Sequence, residues 1–232
     1  MDSELEMLVK NLGLREESCP GGLEFLTGTL PGGVPVVVGK SGIGKVNAAL
    51  GVSSMIEHYG VSCVVSTGVC GVLCRDGSIS QKDIIVSSQA FYHDVWCGFD
   101  NAPGQVQGLP AVFPALSSDA QALEQVRAAV EKAYGGHVVC APIASGDWFV
   151  DTVEKAEAIL EEFPSAVGVD MESGAIAQTC TRYGVPWLSM RMVSDSPLSH
   201  GSARQYADFW STAPGGLSTA LGAALEYLQN KL

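Results

Sequence analysis

Acidic and basic side chains stand where apolar runs end, and those are the positions where this chain could do chemistry. Val169-Asp170-Met171-Glu172 puts two acids where a strand becomes a helix. Glu172 then falls in the first helical turn, where the helix dipole stabilises a carboxylate. It can serve as a simple cap, or it can take hydrogen bonds from ligand hydroxyls. A carboxylate suits a vicinal diol because it offers two acceptor oxygens and no donor. Arg191-Met192-Val193-Ser194-Asp195-Ser196-Pro197 ends the next strand. Arg191 and Asp195 lean to one side of the extended chain, so a structural ion pair between them is one reading. The other is an acid whose pKa is raised by desolvation, which makes it a proton donor near neutral pH.

Three more strand ends, at 39–44, 68–71 and 145–149, carry small or reactive residues. Gly39-Lys40-Ser41-Gly42-Ile43-Gly44-Lys45-Val46 comes close to a phosphate-binding loop. The position after its Lys is Val46, where a Ser or Thr hydroxyl is needed to hold magnesium. The segment therefore reads as a tight strand-to-helix turn, and ATP hydrolysis as the disfavoured alternative. Ser145-Gly146-Asp147-Trp148-Phe149-Val150 follows another strand, and a flat ring there can stack on a base or sit in the core. His93-Asp94 reads as structural. His58, His137 and His200 show no partner in sequence, and there is no GxSxG elbow.

These positions are set by an alternation of strands and helices. Strands are expected at 23–30 and 34–38 around Pro31-Gly32-Gly33, then at 61–67, 83–88, 137–144, 166–169 and 186–193. Helices are expected at about 45–59, 121–133, 153–162, 172–183 and 215–228, with a first one carrying Leu5, Leu8 and Leu12 on one face. The strands are solid apolar runs, the pattern of a mostly parallel or mixed sheet buried between helices. In such sheets ligands bind beyond the carboxyl ends of the strands.

Composition narrows the partners. Of 232 residues, 47% are hydrophobic and 16% charged, which excludes a disordered chain. No apolar stretch reaches the roughly 20 residues of a membrane span, and Met1-Asp2-Ser3-Glu4 does not open a signal peptide. A net charge of −12 disfavours a nucleic-acid partner. The seven cysteines include no CxxC pair, so they read as buried thiols in a reducing cytoplasm rather than a metal site.

Taken together, the motifs resemble the 5′-methylthioadenosine/S-adenosylhomocysteine nucleosidases of the purine nucleoside phosphorylase-like fold. Ser41-Gly42-Ile43-Gly44-Lys45-Val46 with Ala48-Ala49 is similar to that family's SGIGKVxAA. Ser145 to Phe149 resembles its SGDxF, Asp170-Met171-Glu172 its EME, Arg191 to Asp195 its RxxSD, and Met1 to Glu4 its MxxE. Tyr92-His93-Asp94 is also similar. The resemblance implies a three-layer α/β/α sandwich around a central twisted mixed sheet. It implies hydrolysis of the N-glycosidic bond of 5′-thio-substituted adenosines to adenine and a thioribose, with neither a metal nor another cofactor.

Roles follow from the same resemblance. Asp195 donates a proton to purine N7 and Ser194 helps to hold it. Glu172 binds the ribose hydroxyls, Glu4 activates the attacking water, and Arg191 supports Glu172 and that water. Phe149 stacks on adenine, the Val150 backbone reads its edge, and Ile43 and Met171 line the ribose and the 5′ side. Val69, Cys70 and Gly71 stand in the ribose-side loop, and Tyr206 covers the ribose from a flexible segment. Phe99 and Pro110 close the 5′ pocket of a partner subunit, so a cytoplasmic homodimer is expected.

The chain departs from the family pattern at three places. Val69 replaces a ribose-side Ser, and Asp170 replaces the first Glu of EME. Residues 1–232 read as a single nucleosidase domain in which the family's first strand, ahead of MxxE, is absent. Two alternatives remain open at this point. One is a purine nucleoside phosphorylase, which needs a cluster of basic groups or amides for phosphate. The other is a nucleoside-binding protein without turnover.

Overall fold

The computed structural model describes residues 14–18, 23–212 and 216–231. Glu4 and the expected first helix lie outside the described residues, as does Cys19.

The strands expected at 23–30 and 34–38 form an antiparallel pair, β2 (Glu24–Thr29) and β3 (Pro35–Gly39). Their turn is closed by the Leu30 amide donating to the Val34 carbonyl at 2.9 Å. A strand not anticipated, β1 (Arg15–Ser18), lies antiparallel on β2. Its sequence, Arg-Glu-Glu-Ser, has no apolar alternation to announce it.

After β3 the glycine turn leads into α1 (Lys45–Tyr59), and then β4 (Val64–Val72), β5 (Ile84–Tyr92) and the short β6 (Phe113–Pro114). Next come α2 (Ala120–Tyr134), β7 (Val138–Ser145), α3 (Val153–Glu162), β8 (Gly168–Asp170) and α4 (Ser173–Tyr183). The chain finishes with β9 (Trp187–Asp195), α5 (Ser202–Thr212) and α6 (Gly216–Gln229). The glycines at 68 and 71 do not end β4, which runs on to Val72 because β9 pairs with it as far as Gly71 and β8 with Gly71 and Val72.

The central sheet has the order β6-β5-β7-β8-β4-β9, and β5 also pairs with β9. It is mixed: β4 with β9, β5 with β7 and β7 with β8 run parallel, while β8 with β4 and β9 with β5 run antiparallel. The five longer-range partners therefore close into a ring. β5 shares one edge between two neighbours, giving Ile84–Val86 to β9 and Gln89–Ala90 to β6, with a register shift between Ser87 and Ala90.

Helices cover the sheet on both sides, α1 packing on α4 and α2 on α6. The strands are mainly apolar because both faces are largely covered; Ile84, Ile85 and Val86 are fully buried. β9 is the extreme case, with all nine residues buried, among them Ser189, Arg191, Ser194 and Asp195. Polar groups in such a strand must find partners, since an unpaired buried one costs about 1–3 kcal/mol. Where those partners are locates the site.

Among the described residues no helix is long and apolar enough to cross a membrane. Cys70 and Cys180 are buried as expected, but Cys97 is exposed and Cys63, Cys74 and Cys140 are half-buried.

Candidate functional site

Strand register brings the site together. Asp195 at the end of β9 stands beside Gly71 of β4, and Gly71 stands beside Val169, the residue before Asp170 on β8. The ladder shifts between Cys70 and Gly71. A Cβ on Gly71 would lie 2.8 Å from Pro197 Cγ and 3.1 Å from Val169 Cγ1, so only glycine lets these strand ends approach.

Asp195 is 4% exposed. The Ser194 hydroxyl donates to its Oδ1 at 2.7 Å and the Ser202 hydroxyl to its Oδ2 at 2.5 Å. Burial pushes the Asp195 carboxyl above the ordinary aspartate range, and the two hydroxyls oppose that rise. Ser194 has a second acceptor, the Cys70 carbonyl, at 3.1 Å.

Arg191 does not pair with Asp195. Its Nε donates to Asp170 Oδ2 at 2.8 Å, both side chains being almost wholly buried. Its Nη1 reaches Ser66 Oγ at 3.0 Å. Asp170 also receives the Ser173 amide at 3.2 Å and the Ser173 hydroxyl, and that hydroxyl meets Ser189 Oγ at 2.7 Å. The shorter acid in the EME position is therefore the cap of α4 as well as the partner of Arg191.

Glu172 does not cap its own helix. It occupies the position before Ser173 and makes no capping hydrogen bond. Its Oε1 accepts from the Gly44 amide at 2.8 Å, across the site in the glycine turn. Burial and the neighbouring Asp170 raise the Glu172 carboxyl above its usual range, against Arg191 and the Gly44 amide.

Asp147, inside the Ser-Gly-Asp-Trp-Phe segment, does the same for the next residue: its Oδ1 accepts from the Lys45 amide at 2.8 Å. Asp147 is held in turn by its own amide donating to Asp94 Oδ2 at 2.8 Å, and Lys45 Nζ lies 2.8 Å from the same oxygen. The glycine turn thus aims its amides at protein carboxylates. Sequence reasoning read Asp94 as structural and assigned no role to Asp147 or Ser202. For Asp147 the clue was an acid at a strand end facing a helix start that has no acid in its own first turn.

The remaining expected residues divide into two groups. Met171 is half-buried between Asp170 and Glu172, and Val69 and Cys70 lie on β4 opposite Met192 and Val193. Val150 is buried, while Phe149 is 44% exposed and Ile43 72% exposed at the mouth. Tyr206 lies in helix α5 rather than in an irregular segment, and its ring meets Phe149 edge-on at 5.3 Å. Phe99 and Pro110 stand apart, on the long connection from β5 to β6, both exposed. Among the described residues no group of three or more His, Cys, Asp and Glu could hold a metal ion.

What the site can do chemically is deliver a proton from Asp195 and hold hydroxyls at Glu172, between exposed rings. Comparison with known proteins bears on the chain as a whole. The Phosphorylase superfamily model matches residues 1–228. The 5′-methylthioadenosine/S-adenosylhomocysteine nucleosidase of Geobacillus thermodenitrificans is 36% identical, over 100% of this chain and 95% of that one. The Neisseria meningitidis nucleosidase of the same name, solved in complex with methylthio-immucillin-A, superposes with a TM-score of 0.87 at 31% identity, covering 97% of this chain and 95% of that one. The nucleosidase from S. pneumoniae with a transition-state inhibitor gives 0.86 at 30% identity, covering 98% and 96%.

Proposed function

This chain belongs to the 5′-methylthioadenosine/S-adenosylhomocysteine nucleosidase family of the phosphorylase superfamily, and from that premise we propose how its residues do the chemistry. It hydrolyses the N-glycosidic bond of 5′-thio-substituted adenosines, releasing adenine and a thioribose. The carrying observation is that a buried, hydroxyl-held carboxylic acid and a second carboxylate come from the ends of β9 and β8, the two strands that flank β4.

Adenine is a poor leaving group as an anion. Asp195 passes its proton to purine N7 while the C1′–N9 electron pair moves onto the base, and adenine leaves neutral. The sugar becomes oxocarbenium-like. Glu172 keeps one oxygen on the Gly44 amide and offers the other to the ribose hydroxyls. A water adds its oxygen to C1′ and surrenders a proton to Glu4, in the arrangement that inverting glycosidases use. Phe149 stacks on the base beside the Val150 backbone, under Tyr206. Ile43, Met171, Val69, Cys70 and Gly71 line the sugar. Arg191 acts at a distance, through Asp170 and its charge on Glu172.

Water rather than phosphate is the acceptor, because the groups a phosphate would use are already engaged. The Gly44 and Lys45 amides point at Glu172 and Asp147, and Lys45 and Arg191 are paired with Asp94 and Asp170. Free adenine should therefore appear from methylthioadenosine at the same rate with and without phosphate. A requirement for phosphate, with a sugar phosphate as product, would establish a phosphorylase instead.

The working form is a homodimer. Trp96 and Phe99 form an edge-on pair at 5.5 Å, Phe99 being 97% exposed, and Pro110 is exposed on the same connection. A patch of this kind is costly to leave in water. Sedimentation at micromolar concentration should give twice the chain mass, and Phe99→Asp should give the single-chain mass with weakened activity. A wild-type monomer with full activity would remove the partner from the site. The six free thiols among the described residues suit a reducing cytoplasm.

A further inference from the structure

Asp195 is gripped from two sides that differ in kind. Ser194 is its neighbour on β9 and has the Cys70 carbonyl as an alternative acceptor. Ser202 comes from another element, as the first residue of α5, is 1% exposed, and reaches Oδ2. Four residues later, on the same face of the helix, Tyr206 meets Phe149. The helix is fastened to the end of β9 by its own hydrogen bonds. Gln205 Oε1 accepts from the Ser196 amide at 3.0 Å. Gln81 Nε2 donates to the Ser194 carbonyl at 2.7 Å and approaches the Gln205 carbonyl at 3.4 Å. Phe209, 2% exposed, anchors the helix in the core.

We infer that Ser202 is a positioning residue for the general acid, fixing Oδ2 as the hydrogen-bonded oxygen so that Oδ1 carries the proton to the purine. The inference rests on the reading of Asp195 as the acid. When Oδ1 is protonated, Ser194 turns its hydroxyl to the Cys70 carbonyl, and the Oδ1 hydrogen is free to point at N7. Ser202 keeps donating to Oδ2 in both protonation states. One helix then sets the orientation of the acid and covers the base-stacking ring, so α5 must be docked for the proton to be aimed.

A pH profile separates this role from mere packing. A general acid works only while protonated, so activity falls as pH rises through its pKa. A hydroxyl donating to the carboxylate stabilises the charged form and lowers that pKa; removing it leaves burial unopposed on Oδ2 and raises the pKa. The other groups around Asp195 stay in place: Cys70 on β4, Cys74 and Arg75 after β4 in a cavity of about 380 Å³ that Asp195 lines, and Asp170 and Arg191 beyond Cys70.

The experiment is the pH dependence of kcat/KM for adenine release from methylthioadenosine by the full chain and its Ser202→Ala and Ser202→Thr variants. Ser202→Ala should move the alkaline limb up by about one pH unit, the scale of one hydrogen bond to a charged group. Its kcat should fall about 10-fold at neutral pH through lost orientation, with KM little changed. Ser202→Thr, which keeps the hydroxyl, should restore the wild-type limb. If the alanine variant melts early, Ser202→Cys preserves volume with a weaker donor and should shift the limb in the same direction. An unmoved limb in the alanine and cysteine variants overturns the inference. Retained turnover in Asp195→Asn would instead overturn the acid assignment beneath it.

Discussion

Asp195→Asn is expected to lower turnover by about 10² to 10⁴, the range that a positioned general acid contributes. The substitution is mild as structure. With the amide oxygen in the place of Oδ2 it still accepts from Ser202, the amide nitrogen takes the place of Oδ1 facing N7, and Ser194 turns its hydroxyl to the Cys70 carbonyl, so both partners of the carboxylate stay satisfied. What is lost is a transferable proton. An amide N–H can hold N7 but cannot neutralise the departing base. Binding of an adenosine analogue should therefore change far less than kcat, the pattern of an interaction made in the transition state. The measurement is kcat for adenine release beside the dissociation constant of a non-hydrolysable analogue. Near-normal turnover in the variant would remove Asp195 from the mechanism.

The second large effect is on stability. Asp170→Ala strands the Arg191 guanidinium at 2% exposure with its carboxylate gone, and also strips the cap from α4. Breaking a buried pair on one side costs about 3–5 kcal/mol. In a domain of this size each kcal/mol is worth about 2–4 °C, so the melting temperature should drop by roughly 6–20 °C. Removing the other partner as well, in Asp170→Ala with Arg191→Met, should recover part of the loss because no bare charge remains buried. Asp170→Glu keeps the charge and should cost much less. An alanine variant that melts with the wild type would show that Arg191 finds another partner.

What the sequence made legible followed from local rules. The helices beginning at Lys45 and Val153 stand where the pattern put them, because each follows a turn and keeps its helical spacing. The strand ends carrying Asp170, Glu172 and Asp195 meet because an apolar, mixed sheet gathers them. Most of the errors were about partners. Nothing in the spacing of Arg191 and Asp195 says that the arginine turns to Asp170, since that depends on which strands are neighbours. Glu172 looked like a local cap, yet its acceptor faces an amide 128 residues away in sequence. Ser202 was invisible because a serine after Ser-His-Gly has no periodic signal; only the folding back of α5 onto β9 brings it to the acid. β1 was missed for want of apolar alternation, and Tyr206 was expected in a loose segment because the polar run around it hides a helix.

The double pairing of β5 bears on how the protein reaches and keeps this form. With β9 on one stretch of its edge and β6 on the next, β5 offers no long unpaired backbone, and the ring of strands as a whole has no open rim of the kind that recruits other chains. That protection arrives late. The ladder that completes the ring joins Ile84–Val86 to Met190–Met192, residues that only the nearly finished chain can supply, and such distant pairings are slow to form. Until they do, two of the most apolar strands in the molecule lie with their edges bare. Newly made chains are therefore most prone to aggregate through these strands in the interval before β9 docks, and closing the ring takes those edges out of reach.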